Sequence, residues 1–170
     1  MTLDSKNLLL WYHHSNYKMP WRETTDPYKI WISEIMLQQT QVKTADNYYN
    51  KWIDIFPTVN DVAKANIDLI LKVWEGLGYY KRAHNIYNTA QIIVKEHKGE
   101  VPNSYNELIK LKGIGDYTAS AILSIAFQKP YPAIDGNLKR VISRLKTFNN
   151  KQLSKTIKNT ILNSMINSKA

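Results

Sequence analysis

Apolar residues recur at steps of three and four along almost the whole chain. Val42, Ala45, Tyr49, Trp52, Ile53 and Phe56 follow that spacing, as do Ile86, Ala90, Ile93 and Val94, and again Leu138, Val141, Ile142 and Leu145. This is the period of an amphipathic α-helix whose apolar stripe faces a core. No segment alternates as a half-buried strand would, and no hairpin signal intervenes. The pattern predicts an all-α fold of about ten short helices.

Punctuation sharpens the reading. Gly99 followed by Pro102 predicts a helix stop, and Ser104 before Tyr105-Asn106-Glu107 predicts a capping box. Residues 118–127, Thr-Ala-Ser-Ala-Ile-Leu-Ser-Ile-Ala-Phe, are apolar nearly all round and predict a central, buried helix. Near the end, Leu153, Ile157, Ile161, Leu162, Met165 and Ile166 form a stripe that requires a partner. The apolar run Leu8-Leu9-Leu10-Trp11 is the natural one, so both chain ends are expected to form a small second module.

Length and composition bound the possibilities. A chain of 170 residues suits one domain, or one plus part of a second, and 44% hydrophobic content suffices for a core. There is no cysteine, which excludes a disulfide framework, a thiolate zinc site and a cysteine-ligated iron–sulfur cluster within these residues. No stretch approaches the roughly 18 apolar residues of a membrane span. The first residues lack a basic-then-apolar signal peptide, and the expected location is cytoplasmic.

Charge points to a partner. Lys and Arg number 23 against 14 acids, a formal charge of +9, and no acidic residue follows Asp135. Such a surplus favours a polyanion, because releasing condensed counterions drives association with nucleic acid. A solvated helix surface has the same composition. A membrane fits less well, since neither a lipidation motif nor a strongly apolar basic helix accompanies the charge.

Four segments carry candidate chemistry. Leu111-Lys112-Gly113-Ile114-Gly115-Asp116-Tyr117-Thr118-Ala119 joins two predicted helices. Its glycines permit positive φ and close backbone approach, and the N–H groups at the following helix start suit a DNA phosphate. An ordinary tight turn also reads this way. Asp135-Gly136-Asn137 precedes an amphipathic helix, so Asp135 is either an N-cap or a fixed carboxylate able to stabilise a cationic sugar.

In Trp31-Ile32-Ser33-Glu34-Ile35-Met36-Leu37-Gln38-Gln39-Thr40-Gln41, Glu34 has Ile30, Trp31 and Leu37 as helical neighbours. A desolvated glutamate there can donate a proton near neutral pH, whereas a wet one merely marks the helix surface. The amides that follow, beside an apolar wedge, suit probing of base edges. Last, Trp74-Glu75-Gly76-Leu77-Gly78-Tyr79-Tyr80-Lys81-Arg82-Ala83 is an aromatic turn leading into a basic helix start, able to stack on bases and hold phosphates or to pack as core.

Taken together, the segments resemble the catalytic core of the MutY-type adenine DNA glycosylases, within the helix–hairpin–helix superfamily. The matching pieces are Pro20-Trp21-Arg22, Ser33-Glu34 through Val42, Gly76 through Tyr80, Leu111 through Ala119, and Asp135-Gly136-Asn137 with Lys139-Arg140-Val141, in order and in register from about Leu8 to Leu145. The resemblance implies a six-helix barrel over 23–138, with the hairpin at about 104–128. Residues 1–22 with 139–170 would form a partial second module.

It implies further that Glu34 protonates adenine at N7 and helps activate water, that Asp135 stabilises the oxocarbenium-like sugar, that Asn137 supports both, and that Tyr117 sits beside the pair. Trp21 and Arg22 would line the pocket for the flipped adenine. Leu37, Gln38, Gln39, Thr40 and Tyr79 would meet the helix near the opposite base, 8-oxoguanine in this family. Lys112, Gly113, Ile114 and Gly115 would hold phosphate.

The implied partner is double-stranded DNA carrying a mismatch or an oxidised guanine, and the implied state is a monomer. Bifunctional members such as endonuclease III place a Schiff-base lysine where Tyr117 stands, so hydrolysis without efficient strand cleavage is expected. The family normally carries a 4Fe–4S cluster on four cysteines, then a domain that recognises 8-oxoguanine; this chain contributes no cofactor ligand. Lys112 stands where proline is usual. A thymine or uracil mismatch glycosylase, and a non-catalytic DNA-binding module, are the alternatives.

Overall fold

A computed structural model of the chain describes residues 5–14 and 18–146. The described residues form nine α-helices and one 3-10 turn, with no strand among them. They are α1 (Ser5–His14), the 3-10 turn Pro20–Arg22, α2 (Pro27–Met36), α3 (Val42–Ile55), α4 (Val59–Lys64), α5 (Ile67–Trp74), α6 (Lys81–Glu96), α7 (Tyr105–Leu108), α8 (Asp116–Ile125) and α9 (Gly136–Lys146). The all-α expectation holds. The apolar stripe from Leu153 to Ile166, and its pairing with residues 8–11, lie outside the described residues.

Helix α2 is the strut around which the others pack. It opens on Asp26, whose carboxylate accepts from the N–H groups of Tyr28 and Lys29, followed by Pro27 at the first helical position. Both features satisfy or remove amide groups that a helix start leaves unpaired. Tyr28, Ile30, Trp31, Ile32, Ile35 and Met36 are all buried, so the helix is apolar on nearly every side. It meets α3, α6, α8 and the 3-10 turn. The Tyr28 hydroxyl donates to the Phe56 carbonyl at 2.7 Å and accepts from Trp52 Nε1 at 3.0 Å, tying α2 to the end of α3.

Three tryptophans, Trp31, Trp52 and Trp74, have almost no exposed surface. Trp52 and Trp74 meet edge to face with centroids 5.6 Å apart, a geometry worth about 0.5–1.5 kcal/mol beyond burial itself. The predicted buried helix is α8, whose Thr118 through Leu123 are buried; its two ends, at Asp116 and Ile125, reach solvent. The helix stop is as expected: α6 ends at Glu96, Lys98 and Gly99 both adopt positive φ, and the Gly99 N–H donates back to Ile93.

Two local expectations are corrected. Ser104 stands at the start of α7 but its side chain makes no capping bond; the helix has only four residues and little to cap. The box forms instead at Thr58, whose N–H donates to Asp61 Oδ2 at 2.9 Å. Of the two hairpin glycines, only Gly113 is left-handed (φ +84°), while Gly115 is extended at the start of α8.

The hairpin glycines differ in what surrounds them. A Cβ on Gly113 would lie 2.8 Å from Asn85 Cβ, whereas one on Gly115 would meet nothing within 4 Å. Gly113→Ala is therefore expected to cost about 2–4 kcal/mol, from the left-handed backbone plus the clash. Gly115→Ala should cost under about 1 kcal/mol. Urea unfolding of both variants checks this; equal losses would contradict it.

Candidate active site

The last turn of α2 and the chain leaving it form one wall of a cavity of about 990 Å³. Glu34, Leu37, Gln38, Gln39 and Thr40 contribute from that side, and Tyr79 through Arg82 with Asn85 face them from the start of α6. Tyr117, on the first turn of α8, and Asp135 with Asn137, at the start of α9, close the third side. Segments 80 residues apart in the chain thus meet because α2 packs on α8.

Glu34 is only partly exposed, between the buried Ser33 and Ile35. Burial raises its pKa above the ordinary carboxylate value, and the nearby charge of Asp135 adds to the rise. A hydrogen bond from Tyr117 works the other way, favouring the ionised form. The net result is a carboxyl that holds its proton at a higher pH than a free glutamate does. Burial pushes the Tyr117 phenol well above its usual range too, with Glu34 and Asp135 adding to the effect, so it stays a neutral donor.

Asp135 is an N-cap that also faces the cavity. Its Oδ1 accepts from the Leu138 N–H at 2.7 Å, which is an N-cap, and it also lines the cavity beside Glu34. One carboxylate oxygen is thereby pinned, which fixes the group in space. Asn137 lines the same wall while its Oδ1 accepts from Arg140 at 2.7 Å. Together, an acid with a raised pKa, a fixed carboxylate and a phenol can donate a proton on one side of a bound group and offset positive charge on another.

The candidate base-probing residues Leu37, Gln38, Gln39, Thr40 and Tyr79 all line this cavity. Gln38 Nε2 donates to Thr118 Oγ1 at 3.4 Å, linking that wall to α8. Gln39 and Tyr79 are exposed and both have positive φ (57° and 49°). Trp21 and Arg22 lie elsewhere. Trp21 is buried edge-on against Tyr49 at 5.3 Å, inside the main core although the expected boundary put it in the terminal module. Arg22 lies over the Tyr12 ring. Neither side chain is among those lining the cavity.

The hairpin turn is anchored on the core. Thr89 Oγ1 donates to the Lys112 carbonyl at 2.8 Å, and Leu111 and Ile114 are buried, which anchors the turn on α6. The Ile114 N–H is spent on the Leu111 carbonyl at 3.1 Å, so Ile114 serves as an anchor and not as a phosphate donor. Lys112 and Gly115 are exposed beside the start of α8. Asp116 adds a carboxylate there, drawn aside by the Tyr105 hydroxyl at 2.8 Å.

Arg82 is not free to hold a phosphate, as a basic helix start suggests. Its guanidinium is buried and donates to the carbonyls of Ile35, Met36, Gln38, Leu77 and Gly78 and to Thr40 Oγ1. Asn85 also lines the cavity and belongs to none of the motifs. A signal for Asn85 existed: it follows Lys81 by four residues on α6, so both share a helix face. The 4Fe–4S cluster that the resemblance implies does not fit these residues. The chain has no cysteine, and the described residues include no group of His, Asp and Glu able to hold a metal. No helix among them is long and apolar enough to cross a membrane.

The chain is similar to several known proteins. The adenine DNA glycosylase of Buchnera aphidicola subsp. Baizongia pistaciae is 50% identical over 159 residues, covering 92% of this chain and 45% of that protein. The human adenine DNA glycosylase is 40% identical over 151 residues, 84% of this chain and 28% of that one. The chain thus spans less than half the length of these relatives.

Among solved structures, a thermostable thymine-DNA glycosylase superposes with a TM-score of 0.81 at 27% identity, covering 91% of this chain and 75% of that one. Endonuclease III in a trapped DNA intermediate reaches 0.78 at 21% identity, over 92% and 72%, a likeness of fold alone. A family model for HhH-GPD superfamily base excision DNA repair proteins matches residues 32–165. With most of its length inside that match and its helices arranged accordingly, the chain belongs to the HhH-GPD superfamily of base excision DNA repair proteins.

Proposed function

We propose that this chain carries the catalytic centre of a monofunctional adenine DNA glycosylase, which flips adenine mispaired with 8-oxoguanine or guanine and hydrolyses its N-glycosidic bond. The observation that carries the reading is Glu34: a desolvated carboxyl inside a cavity, with Asp135 close enough to raise its pKa and Tyr117 bonded to it. The 50% identity to an adenine DNA glycosylase over nearly the whole chain supports the choice of base.

In this mechanism the flipped adenine enters the cavity, since chemistry on a base requires it outside the stack. Glu34 donates its proton to N7. The C1′–N9 bond then breaks with its electron pair leaving on the base, and positive charge develops on the sugar. Asp135, held by the Leu138 N–H, faces that charge and stabilises it. Glu34, now ionised, takes a proton from water as its oxygen bonds to C1′, with Asn137 positioning that water. The products are free adenine and an abasic site. The +9 charge supplies non-specific attraction to the duplex.

Glu34→Gln keeps the shape and removes the proton. Excision of adenine opposite 8-oxoguanine is expected to fall by at least about 100-fold in single-turnover assays, with affinity for the same duplex largely kept. Unchanged excision would favour a non-catalytic DNA-binding module. The sign of the pH dependence also follows. Because the protonated form acts and its pKa is raised, the rate should hold above the ordinary glutamate range. It should then fall about tenfold per pH unit once the pH passes that pKa. A rate that rises through the same window would contradict the assignment.

Tyr117 has no amine, so it cannot form an imine with C1′. Incubation with borohydride and substrate DNA is expected to give no stable covalent adduct, and a high yield of one would overturn the monofunctional reading. The structural likeness to a thymine-DNA glycosylase keeps a second substrate in view. Adenine opposite 8-oxoguanine is expected to be cut in preference to thymine or uracil opposite guanine, and the reverse order would move the assignment to that enzyme class.

A further inference from the structure

Arg82 stands on the first turn of α6 and reaches back between two loops. Its Nη1 donates to the carbonyls of Ile35 (3.1 Å), Met36 (3.1 Å) and Gln38 (2.6 Å) and to Thr40 Oγ1 (3.3 Å). Nη2 donates to the carbonyls of Leu77 (3.3 Å) and Gly78 (3.1 Å). The guanidinium carbon lies over two rings, 5.2 Å from the Trp74 centroid and 5.3 Å from that of Tyr79. The charge is thus taken up by carbonyl dipoles, among them those of Ile35 and Met36 at the end of α2.

Those contacts are not spread evenly. They bracket two residues whose backbones lie in the left-handed region, Gln39 at φ 57° and Tyr79 at φ 49°. Gln38 and Thr40 flank the first, and Leu77 with Gly78 precede the second, whose own carbonyl accepts from the Arg82 N–H at 2.8 Å. A non-glycine residue in this region is held at a cost of order 1–3 kcal/mol and persists only where its surroundings impose it. Both residues are exposed and line the cavity. Each loop also has a bond of its own, Gln38 Nε2 to Thr118 Oγ1 in one and Trp74 Nε1 to the Gly78 carbonyl in the other, and Arg82 bridges the two.

We infer that Arg82 is a positioning residue, a clamp that locks Gln39 and Tyr79 into one rigid two-pronged element for prising the mispair open. The inference rests on the glycosylase reading for what the prongs meet, though the clamp itself is geometric. Arginine is required because its planar fork serves both loops at once, whereas a lysine ammonium reaches one.

The test compares the wild-type chain with Arg82→Lys on three probes: a duplex with adenine opposite 8-oxoguanine, the same duplex with 2-aminopurine in place of adenine, and a duplex with a tetrahydrofuran abasic analogue. Fluorescence of 2-aminopurine rises when the base leaves the stack, and the abasic analogue needs no prising. The variant is expected to lose about 10- to 100-fold in single-turnover excision, as small misplacements do. The rate of the 2-aminopurine signal should fall in step, with affinity for the abasic duplex within about threefold of wild type.

Unchanged fluorescence kinetics would overturn the clamp, and so would equal losses on all three probes, which mark a merely structural role. If the wild type flips 2-aminopurine without excising adenine, the glycosylase reading fails while the clamp is still judged from fluorescence. Hydrogen exchange of the wild type provides a test that does not depend on a variant folding. Amides 38–40 and 77–80 are expected to exchange as one protected unit, and free exchange of one segment beside a protected other would contradict the clamp.

Discussion

A carboxyl group withdrawn from water at the end of a buried helix governs how this molecule is built. Helix α2 must lie deep enough to desolvate Glu34, yet end where Glu34 meets a cavity open to a large ligand. Its buried faces satisfy the first demand through Trp31, Ile32 and Ile35. The second is met by ending the helix at Met36 and turning the chain through Gln39 with positive φ. Burying a charge costs free energy unless it is paired, and no cation among the described residues pairs with Glu34, so its pKa is raised. Asp135 then adds to the penalty on ionisation while remaining itself pinned by the start of α9.

The surrounding polar contacts converge on the same spot. Gln38 reaches Thr118 on α8, Arg82 joins the end of α2 to the turn before α6, and Thr89 holds the hairpin through the Lys112 carbonyl. Each bond is modest, about 0.5–1.5 kcal/mol net for neutral partners. Their common effect is geometric: they lock three helices that carry the cavity walls, where a displacement of an ångström matters more than total stability.

Most of the fold was legible in the chain because helical spacing is local. The stripes of α3 and α6 and the apolar run of α8 fall where the pattern puts them, and Glu34, Tyr117, Asp135 and Asn137 meet in one cavity as the motif order implies. What local pattern does not carry is the destination of side chains that could go either way. Trp21 and Arg22 sit outside the cavity wall because the 3-10 turn that bears them packs on α2 with its tryptophan turned to Tyr49. Arg82 reads as one more surface cation, and only the approach of residues 35–40 turns it into a buried clamp. Ser104 has the right neighbours for a cap but a helix too short to need one. Gly113 and Gly115 look equivalent in sequence and differ because Asn85 crowds only the first.

The claim under all of this is that Glu34 holds a proton at a pH where a solvated glutamate does not, partly through Asp135. Carbon-13 NMR of the Glu34 side-chain carboxyl, followed through a pH titration, reads that directly. Asp135→Asn keeps a side chain able to cap α9 while removing the charge. The expected midpoint lies above the ordinary value of about 4.3 and drops in the Asn variant. A midpoint at or below that value, or one indifferent to Asp135, would contradict the account.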